Sequence, residues 1–354
     1  MRTRLATQLG IDVPVIQGPM AGGATTPELV SAVSNAGALG ALGAALLPPA
    51  DLREAIRAIR ARTSRPFNVN LLVPTAEDPR NGAAAAMVKR LGAYHKELGL
   101  DAPVLPQQTG EDFHAQMQVI IEEKVPVFSF AFAIPEPALL AGVKASGAKV
   151  LGTATTVAEA RALVEAGVDV VVAQGSEAGG HRGTFLAEFE DAMIGVMTLV
   201  PQIIDAVDVP VVAAGGIMDG RGIAAALALG AAAAQMGTAF LTCTESGIPV
   251  SYKEAIPRAE AEQTEVTRAF SGRPARGIRN RFMVDLRETG AAIPPYPMQN
   301  ALTRRLRAEA SKRGLTDFMS MWVGQGARLA RPMPAGDLVS LLAAETEQSL
   351  KRFS

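Results

Sequence analysis

"PVVAAGGIMDGRGIAAALALGAAAAQMGTAF", residues 210–240, holds one complete structural unit and the strand that begins the next. Its branched apolar start reads as a strand buried on both faces, as expected where helices cover a parallel sheet. Gly215 and Gly216 turn the chain, Asp219 stands where a helix N-cap belongs, and Gly230 stands where that helix stops. "AAAQMGT", from Ala232, is then a second strand.

The same alternation recurs upstream. Strands are expected at "PVIQG" from Pro14, "GALGAL" from Gly37, "FNVNLL" from Phe67, "VPVFSFAF" from Val125, "KVLGTA" from Lys149 and "DVVVAQG" from Asp169. Helices are expected over residues 27–36, 51–61, 136–146, 156–166, 193–206 and 219–229, with Asp51 and Thr156 as further N-caps and Gly147 and Gly167 as further stops. Eight strand-then-helix units predict an α/β chain folded as a closed (β/α)8 TIM barrel with a smaller helical lid; an open doubly wound sheet is the alternative. Residues 1–245 are assigned to the barrel, with a helical insertion at about 74–124. Residues 246–332, of mixed charge and rich in proline, read as a lid-like insertion over the barrel mouth, and residues 333–354 as a C-terminal helix closing on the barrel.

Composition narrows the function. The 354 residues are 48% hydrophobic and 19% charged with a formal net charge of −1, which is no polyanion binder. The densest basic stretch, "RGIRNRF" at 276–282, lacks interleaved aromatics and reads as solvated or loop-anchoring. One cysteine, Cys243, excludes an internal disulfide and an all-cysteine metal cage. The N-terminal stretch has no apolar run of signal-peptide length, and the longest apolar runs are Ala- and Gly-rich like core. A cytoplasmic protein without nucleic-acid or membrane partners is expected; a homo-oligomer is compatible with the sequence.

In such a barrel the functional loops follow the C-terminal ends of the strands, so polar residues there outrank others. Gln17, Gly18, Pro19 and Met20 follow the first strand, Asn68 and Asn70 lie on the third, and Gln174, Ser176, Glu177 and His181 follow the sixth. Gly215 and Gly216 remove side chains so that backbone N–H groups can approach an anion, and the helix entered near Asp219 offers its positive end. Gly237 and Thr238 repeat the pattern after the eighth strand. Together they predict a phosphate site; glycines serving only tight turns are the alternative. Neither loop is a GxGxxG fingerprint, so the phosphate need not belong to a dinucleotide.

"AQGSEAGGHRG", residues 173–183, places His181 among small residues with nothing to pack against. An imidazole titrating near neutrality can take a proton from a carbon acid, so His181 is the candidate base. His95 and His114 lie on amphipathic stretches of the insertion and read as structural. Glu177 and His181 lack a second histidine or cysteine at ligand spacing, so no metal site is expected. Ser176 and His181 share one loop without a nucleophile elbow and make no triad. Cys243 reads as a small buried hydrophobe.

"QGPMAGG", "FNVNLLVP", "AQGSEAGGHRG", the 210–248 stretch ending "LTCTESGI", "PPYPMQNALT" and "MWVGQGARLARPMPAGDLV" together resemble the nitronate monooxygenase family, formerly the 2-nitropropane dioxygenases. The resemblance runs in order over most of the chain, and its middle motifs are shared with the flavin-dependent enoyl-acyl-carrier-protein reductases. It implies a TIM barrel binding FMN non-covalently, which agrees with the phosphate site at Gly215, Gly216, Gly237 and Thr238. By motif, the implied FMN contacts are Met20, Asn70, Gln174, Gly179, Gly216, Gln235, Met236, Gly237 and Thr238. Met20 and Met236 are core residues or soft walls for the flavin ring. His181 of the "EAGGH" motif is the implied base for neutral nitroalkanes, and the implied reaction consumes O2 and turns an alkyl nitronate into a carbonyl compound and nitrite. Gln174, an amide, suits an anionic substrate better than a carboxylate would. The tyrosines and lysine that some bacterial members place around the substrate have no clear counterpart; Tyr296 lies in a plausible motif, Tyr252 does not, and Trp322 reads as a lid residue. Two other readings stay open: an NAD(P)H-dependent enoyl-thioester reductase, and a flavin-free barrel for a phosphorylated metabolite.

Overall fold

The computed structural model of the chain describes residues 3–75 and 82–352. Residues 76–81 of the expected insertion, and the first and last two residues of the expected domain bounds, lie outside the described residues.

Eight parallel strands form the centre: Val15–Gln17, Gly40–Gly43, Phe67–Leu72, Val127–Ala131, Lys149–Ala154, Val170–Gln174, Val211–Ala214 and Ala233–Met236, the first to eighth barrel strands. Each pairs with its neighbours in chain order, and the first pairs with the eighth in the register Ile16 to Gln235. The remaining gap closes where Gln17 N donates to Leu39 O at 2.9 Å and Leu39 N to Val15 O at 3.0 Å. The sheet is therefore a (β/α)8 barrel and not the open alternative.

Alternation along the strands makes two separate cores. Val69, Leu71, Phe128, Phe130, Val171 and Ala213 point outward and pack against the helices. Ile16, Leu39, Val127, Leu151, Val170, Val172, Val212 and Ala233 fill the interior together with Leu5, Ala6 and Leu9 of helix Arg4–Leu9. That helix plugs the end at which the strands begin. Each such fully buried Leu, Ile or Val contributes about 1.5–3 kcal/mol. The other end is polar: Ser129 Oγ accepts from Asn68 Nδ2 at 2.8 Å and Asn70 Nδ2 at 2.9 Å. Hydrophobic closure of one mouth leaves the other for chemistry.

Caps set the helices that flank the site. Thr156 Oγ1 accepts from Glu159 N at 3.2 Å, and Asp219 Oδ1 accepts from Arg221 N at 3.0 Å and Gly222 N at 3.2 Å. Asp51, expected as an N-cap, lies instead in the first turn of helix Pro49–Arg60. Proline enters a first turn readily because its missing N–H would find no partner there, so the helix starts earlier than the aspartate suggests. The helix expected from residue 193 is Val196–Ile204.

Within the insertion, helices Gly82–Glu97 and Phe113–Glu122 form. Residues 246–332 contain helices Val250–Ala255, Arg281–Glu288, Met298–Leu302 and Arg304–Arg313, but also strands Thr264–Thr267 and Ala275–Ile278. These two strands are antiparallel, and the second also pairs with Gly180–His181. The segment is thus not helical throughout; "TEVT" and "ARGI" are too short and polar to show a strand period. Helix Ala335–Leu350 ends the described chain and packs on helices Gly220–Ala228 and Pro27–Asn35. Among the described residues no helix is long and apolar enough to cross a membrane.

Candidate functional site

The loop after the sixth strand is held by its own backbone. Arg182, 1% exposed, donates from Nη1 to Gly175 O at 2.6 Å and from Nη2 to Gln174 O at 3.1 Å and Ala192 O at 3.0 Å. Arg276 adds a bond from Nε to Ser176 O at 3.1 Å. Burial pulls the Arg182 guanidinium down to about 10, with Arg276 adding repulsion, so it remains charged at neutral pH. Gln174 spans the loop: Nε2 donates to His181 O at 3.0 Å and Oε1 accepts from Gly183 N at 2.8 Å. Glu177 caps helix Val196–Ile204, its two oxygens accepting from Val196 N at 2.9 and 3.1 Å. These bonds fix where His181 stands.

His181 enters a short strand beside Ala275, and its Nε2 lies 2.9 Å from Ser271 Oγ. Three rings surround the imidazole, Phe132 at 5.6 Å, Trp322 at 5.7 Å and Tyr296 at 6.1 Å between centroids, and Phe270 stands edge-on behind Trp322 at 5.7 Å. Burial holds the imidazole far below its ordinary value, at about 3, and the nearby cations Arg273 and Arg307 push the same way. His181 is neutral across the physiological range.

Ser271 has one hydroxyl proton and faces two acceptors, Arg273 O at 3.1 Å and His181 Nε2, while Arg273 N approaches its oxygen at 3.3 Å. Giving the proton to Arg273 O satisfies every group, provided His181 Nε2 carries a hydrogen. Nδ1 is then the imidazole's lone-pair nitrogen.

Phe132 ends the fourth strand with φ 86°, a region that side-chain-bearing residues rarely adopt. The Arg273 guanidinium lies 3.8 Å from its ring centroid. Arg273 also donates to the carbonyls of Arg182 and Thr184, tying the turn before strand Ala275–Ile278 to the sixth-strand loop.

The glycine loops meet the segment 322–326. A Cβ on Gly216 would lie 3.1 Å from Glu177 Cβ, and one on Gly215 3.2 Å from Gly175 O; both residues have positive φ, 67° and 126°. Gly179 abuts Val323 and Gly324, and Thr238 Oγ1 accepts from Gly324 N at 2.9 Å. A Cβ on Gly237 would meet only Met20 Sδ, at 3.8 Å, and one on Gly180 would meet nothing within 4 Å. The N–H groups of Gly216, Gly237 and Thr238 find no acceptor among the described residues. Open space beside unclaimed donors fits a phosphate.

The helix end expected to serve that phosphate does not. Its donors go to carboxylates: Arg221 N and Gly222 N to Asp219, and Gly220 N to Glu345 Oε2 at 3.1 Å. An N-cap aspartate satisfies the donors an anion would need, so the cradle is left to the loops.

Gly237 adjoins Met20, Gly179 and Thr238 both meet Gly324, and Gly215 and Gly216 abut the Gly175–Glu177 turn, whereas Asn70 lies in the barrel interior on Ser129 and Gln235 lies on the eighth strand beside Ala214. Met236 is 1% exposed and packs in the outer core. His95 is buried with Nδ1 2.7 Å from Asp101 O, and His114 is exposed, 3.5 Å from Glu136. Cys243 is buried, and its thiol is pushed up to about 12, chiefly by burial. Tyr252 donates to Trp322 O at 2.9 Å. Sequence reasoning missed Phe132, Arg182, Ser271, Arg273 and Arg307. Phe132 could have been found from its place at a strand end; Ser271, Arg273 and Arg307 come from the distal segment and carry no local signal.

The fold is a (β/α)8 barrel whose polar mouth, at the strands' C-terminal ends, carries a neutral imidazole at His181. The model of the family described as nitronate monooxygenase matches residues 2–345, and the chain belongs to that family. It is a flavin-dependent oxidoreductase acting on nitronates or nitroalkanes. A relative in Staphylococcus haemolyticus named "Probable nitronate monooxygenase" is 44% identical over 349 residues, 98% of either chain. The solved nitroalkane oxidase of Streptomyces ansochromogenes is 44% identical with a TM-score of 0.91, covering 99% of this chain and 100% of that one. FabK from Thermotoga maritima is 34% identical with a TM-score of 0.79, covering 100% of this chain and 98% of that one.

Proposed function

We propose that the chain binds FMN at the barrel mouth and oxidises alkyl nitronates with O2 to a carbonyl compound and nitrite, His181 removing the α-proton when the substrate is the neutral nitroalkane. The observation that carries this reading is the placement of His181, its Nε2 2.9 Å from Ser271 Oγ beside the open space at Gly180; its value of about 3 makes the imidazole a weaker base than one titrating near neutrality, which favours the preformed nitronate as substrate. Gly215, Gly216, Gly237 and Thr238 would hold the phosphate, and Met20, Asn70, Gln174, Gly179 and Gln235 would line the remainder. When bound, the flavin supplies the electron transfer between substrate and oxygen.

The chain's own residues bind, orient and move the proton. Phe132, Tyr296 and Trp322 give the substrate apolar surface and keep water from the imidazole. A nitroalkane transfers its α-proton from carbon to His181 Nδ1, leaving the electron pair on the nitro group as the nitronate. Nε2 keeps its hydrogen on Ser271 throughout, so the ring does not turn. A substrate supplied as the nitronate needs no base.

The test is O2 uptake and nitrite release by the FMN-loaded protein with ethyl nitronate and no nicotinamide; a loaded protein producing neither ends the proposal. Rapid bleaching of the flavin by NADH in a parallel sample, with an enoyl thioester as reoxidant, would favour the reductase reading.

A further inference from the structure

Arg307 is a cation in neutral company. Its Nε donates to Thr303 Oγ1 at 3.0 Å, and its Nη2 donates to Asn300 O at 2.8 Å and Asn300 Oδ1 at 2.7 Å. No carboxylate pairs with it among the described residues. Burial and the neighbouring Arg304 pull it down to about 10, which leaves it charged at neutral pH.

Asn300, 5% exposed, commits its Oδ1 to Arg307, and its buried Nδ2 has no acceptor. Turning the amide over would set two donors against each other, so the orientation is fixed by the guanidinium and the Nδ2 stays unclaimed. Buried unpaired donors are uncommon in folded chains and point to a missing acceptor.

The pair is bonded into the segment that holds His181. Thr303, which holds Arg307, donates from Oγ1 to Phe270 O at 2.6 Å, and the next residue, Ser271, reaches His181 at 2.9 Å. Arg307 bears on both His181 and Tyr296, whose rings are 6.1 Å apart. The Arg273 guanidinium lies over Phe132, whose ring is 5.6 Å from that of His181. With the imidazole neutral, the positive charge acting at His181 comes from these guanidiniums. Cations and an amide donor around apolar rings suit a small planar oxyanion carrying an apolar tail.

We propose that Arg307, oriented by Asn300 and supported by Arg273, is the residue that makes the site prefer the anionic nitronate to the neutral nitroalkane from which it forms. This rests on the nitronate-oxidising reading above and assigns its selectivity to a side chain outside the loop motifs.

The test compares wild type, Arg307→Met, Arg307→Lys and Asn300→Asp as FMN-loaded enzymes. Asn300→Asp is nearly isosteric and places a carboxylate against Arg307, neutralising it in place. In Arg307→Met and Asn300→Asp, KM for ethyl nitronate should rise about tenfold or more with KM for nitroethane within about twofold, and Arg307→Lys should recover part of the loss. A second readout needs no turnover: Trp322, the chain's single tryptophan, lies 5.7 Å from His181, so its fluorescence reports nitrate titrated into flavin-free protein at constant ionic strength. Nitrate affinity should fall in the same two variants by a similar factor. Equal loss on nitronate and nitroalkane, or unchanged nitrate binding in Asn300→Asp, overturns the proposal. Failure of the parent reading looks different, because the wild type would then oxidise neither substrate.

Discussion

The Nε2 of His181 and the Oγ of Ser271 stand 2.9 Å apart although 90 residues separate them in the chain. The contact exists because strand Ala275–Ile278 pairs with Gly180–His181, and with the Ser271 proton given to Arg273 O it leaves Nδ1 as the lone-pair nitrogen.

Replacing the base tests its role. His181→Asn should retain FMN and lower kcat/KM for nitroethane about 100- to 10,000-fold, as loss of a general base does, while ethyl nitronate loses less than about tenfold. Steady-state oxygen electrode measurements on both substrates decide it; an equal loss removes His181 from proton transfer.

Ser271→Ala frees the Nε2 hydrogen. The tautomer is then no longer pinned, and kcat/KM for nitroethane should fall about tenfold with flavin content unchanged. Nitrogen-15 spectra of the imidazole should show both tautomers in the variant and Nε2–H in the wild type. A single Nδ1–H form in the wild type would reverse the assignment of the base.

The depressed value of His181 has a pH signature. Unfolded, the imidazole protonates below its ordinary value of 6.5, whereas folded it stays neutral to about 3. In that window the unfolded chain binds the extra proton, so stability is intact above about 6.5 and is lost as pH falls toward 3. Urea unfolding of flavin-free protein should show a smaller loss between pH 7 and pH 5 for His181→Asn than for wild type. An imidazole C2–H resonance titrating near 6.5 in the folded chain would contradict the shift.

Gly216→Ala probes the cradle. The residue has φ 67°, and the new Cβ would press on Glu177 Cβ at 3.1 Å. A stability cost of about 1–2 kcal/mol and FMN affinity weakened at least tenfold are expected. Equilibrium dialysis against free FMN measures the second; unchanged affinity places the phosphate elsewhere.

Gln174→Glu should loosen the loop rather than merely repel a substrate. The amide donates to His181 O and accepts from Gly183 N, and a carboxylate cannot make the first bond. A loss of about 1–3 kcal/mol on urea unfolding is expected. A variant as stable as wild type would show that the staple contributes nothing.

The barrel was legible because each strand lies within a few residues of the helix covering it. Short apolar runs alternating with stretches of helical spacing located all eight strands, and Thr156 and Asp219 marked helix starts that the structure keeps. The reading weakened where a local rule had two uses. Asp219 reads as the entrance to an anion-binding helix end, yet its carboxylate occupies those very donors. Gln174 reads as an amide suited to an anionic substrate, but both ends of its side chain are bound to the loop backbone.

The sequence by itself determined the barrel, the side of it that carries chemistry, and His181 as the residue to examine, since periodicity, caps and glycine turns act between residues close in the chain. Only the tertiary structure decided what surrounds that imidazole. Ser271, Arg273, Tyr296, Arg307 and Trp322 arrive from a segment about 90 to 140 residues downstream, brought in by a two-stranded ribbon without a readable period and by burial of rings against rings. Desolvation and the field of two guanidiniums set the protonation of His181, and both depend on packing in three dimensions that no local stretch encodes.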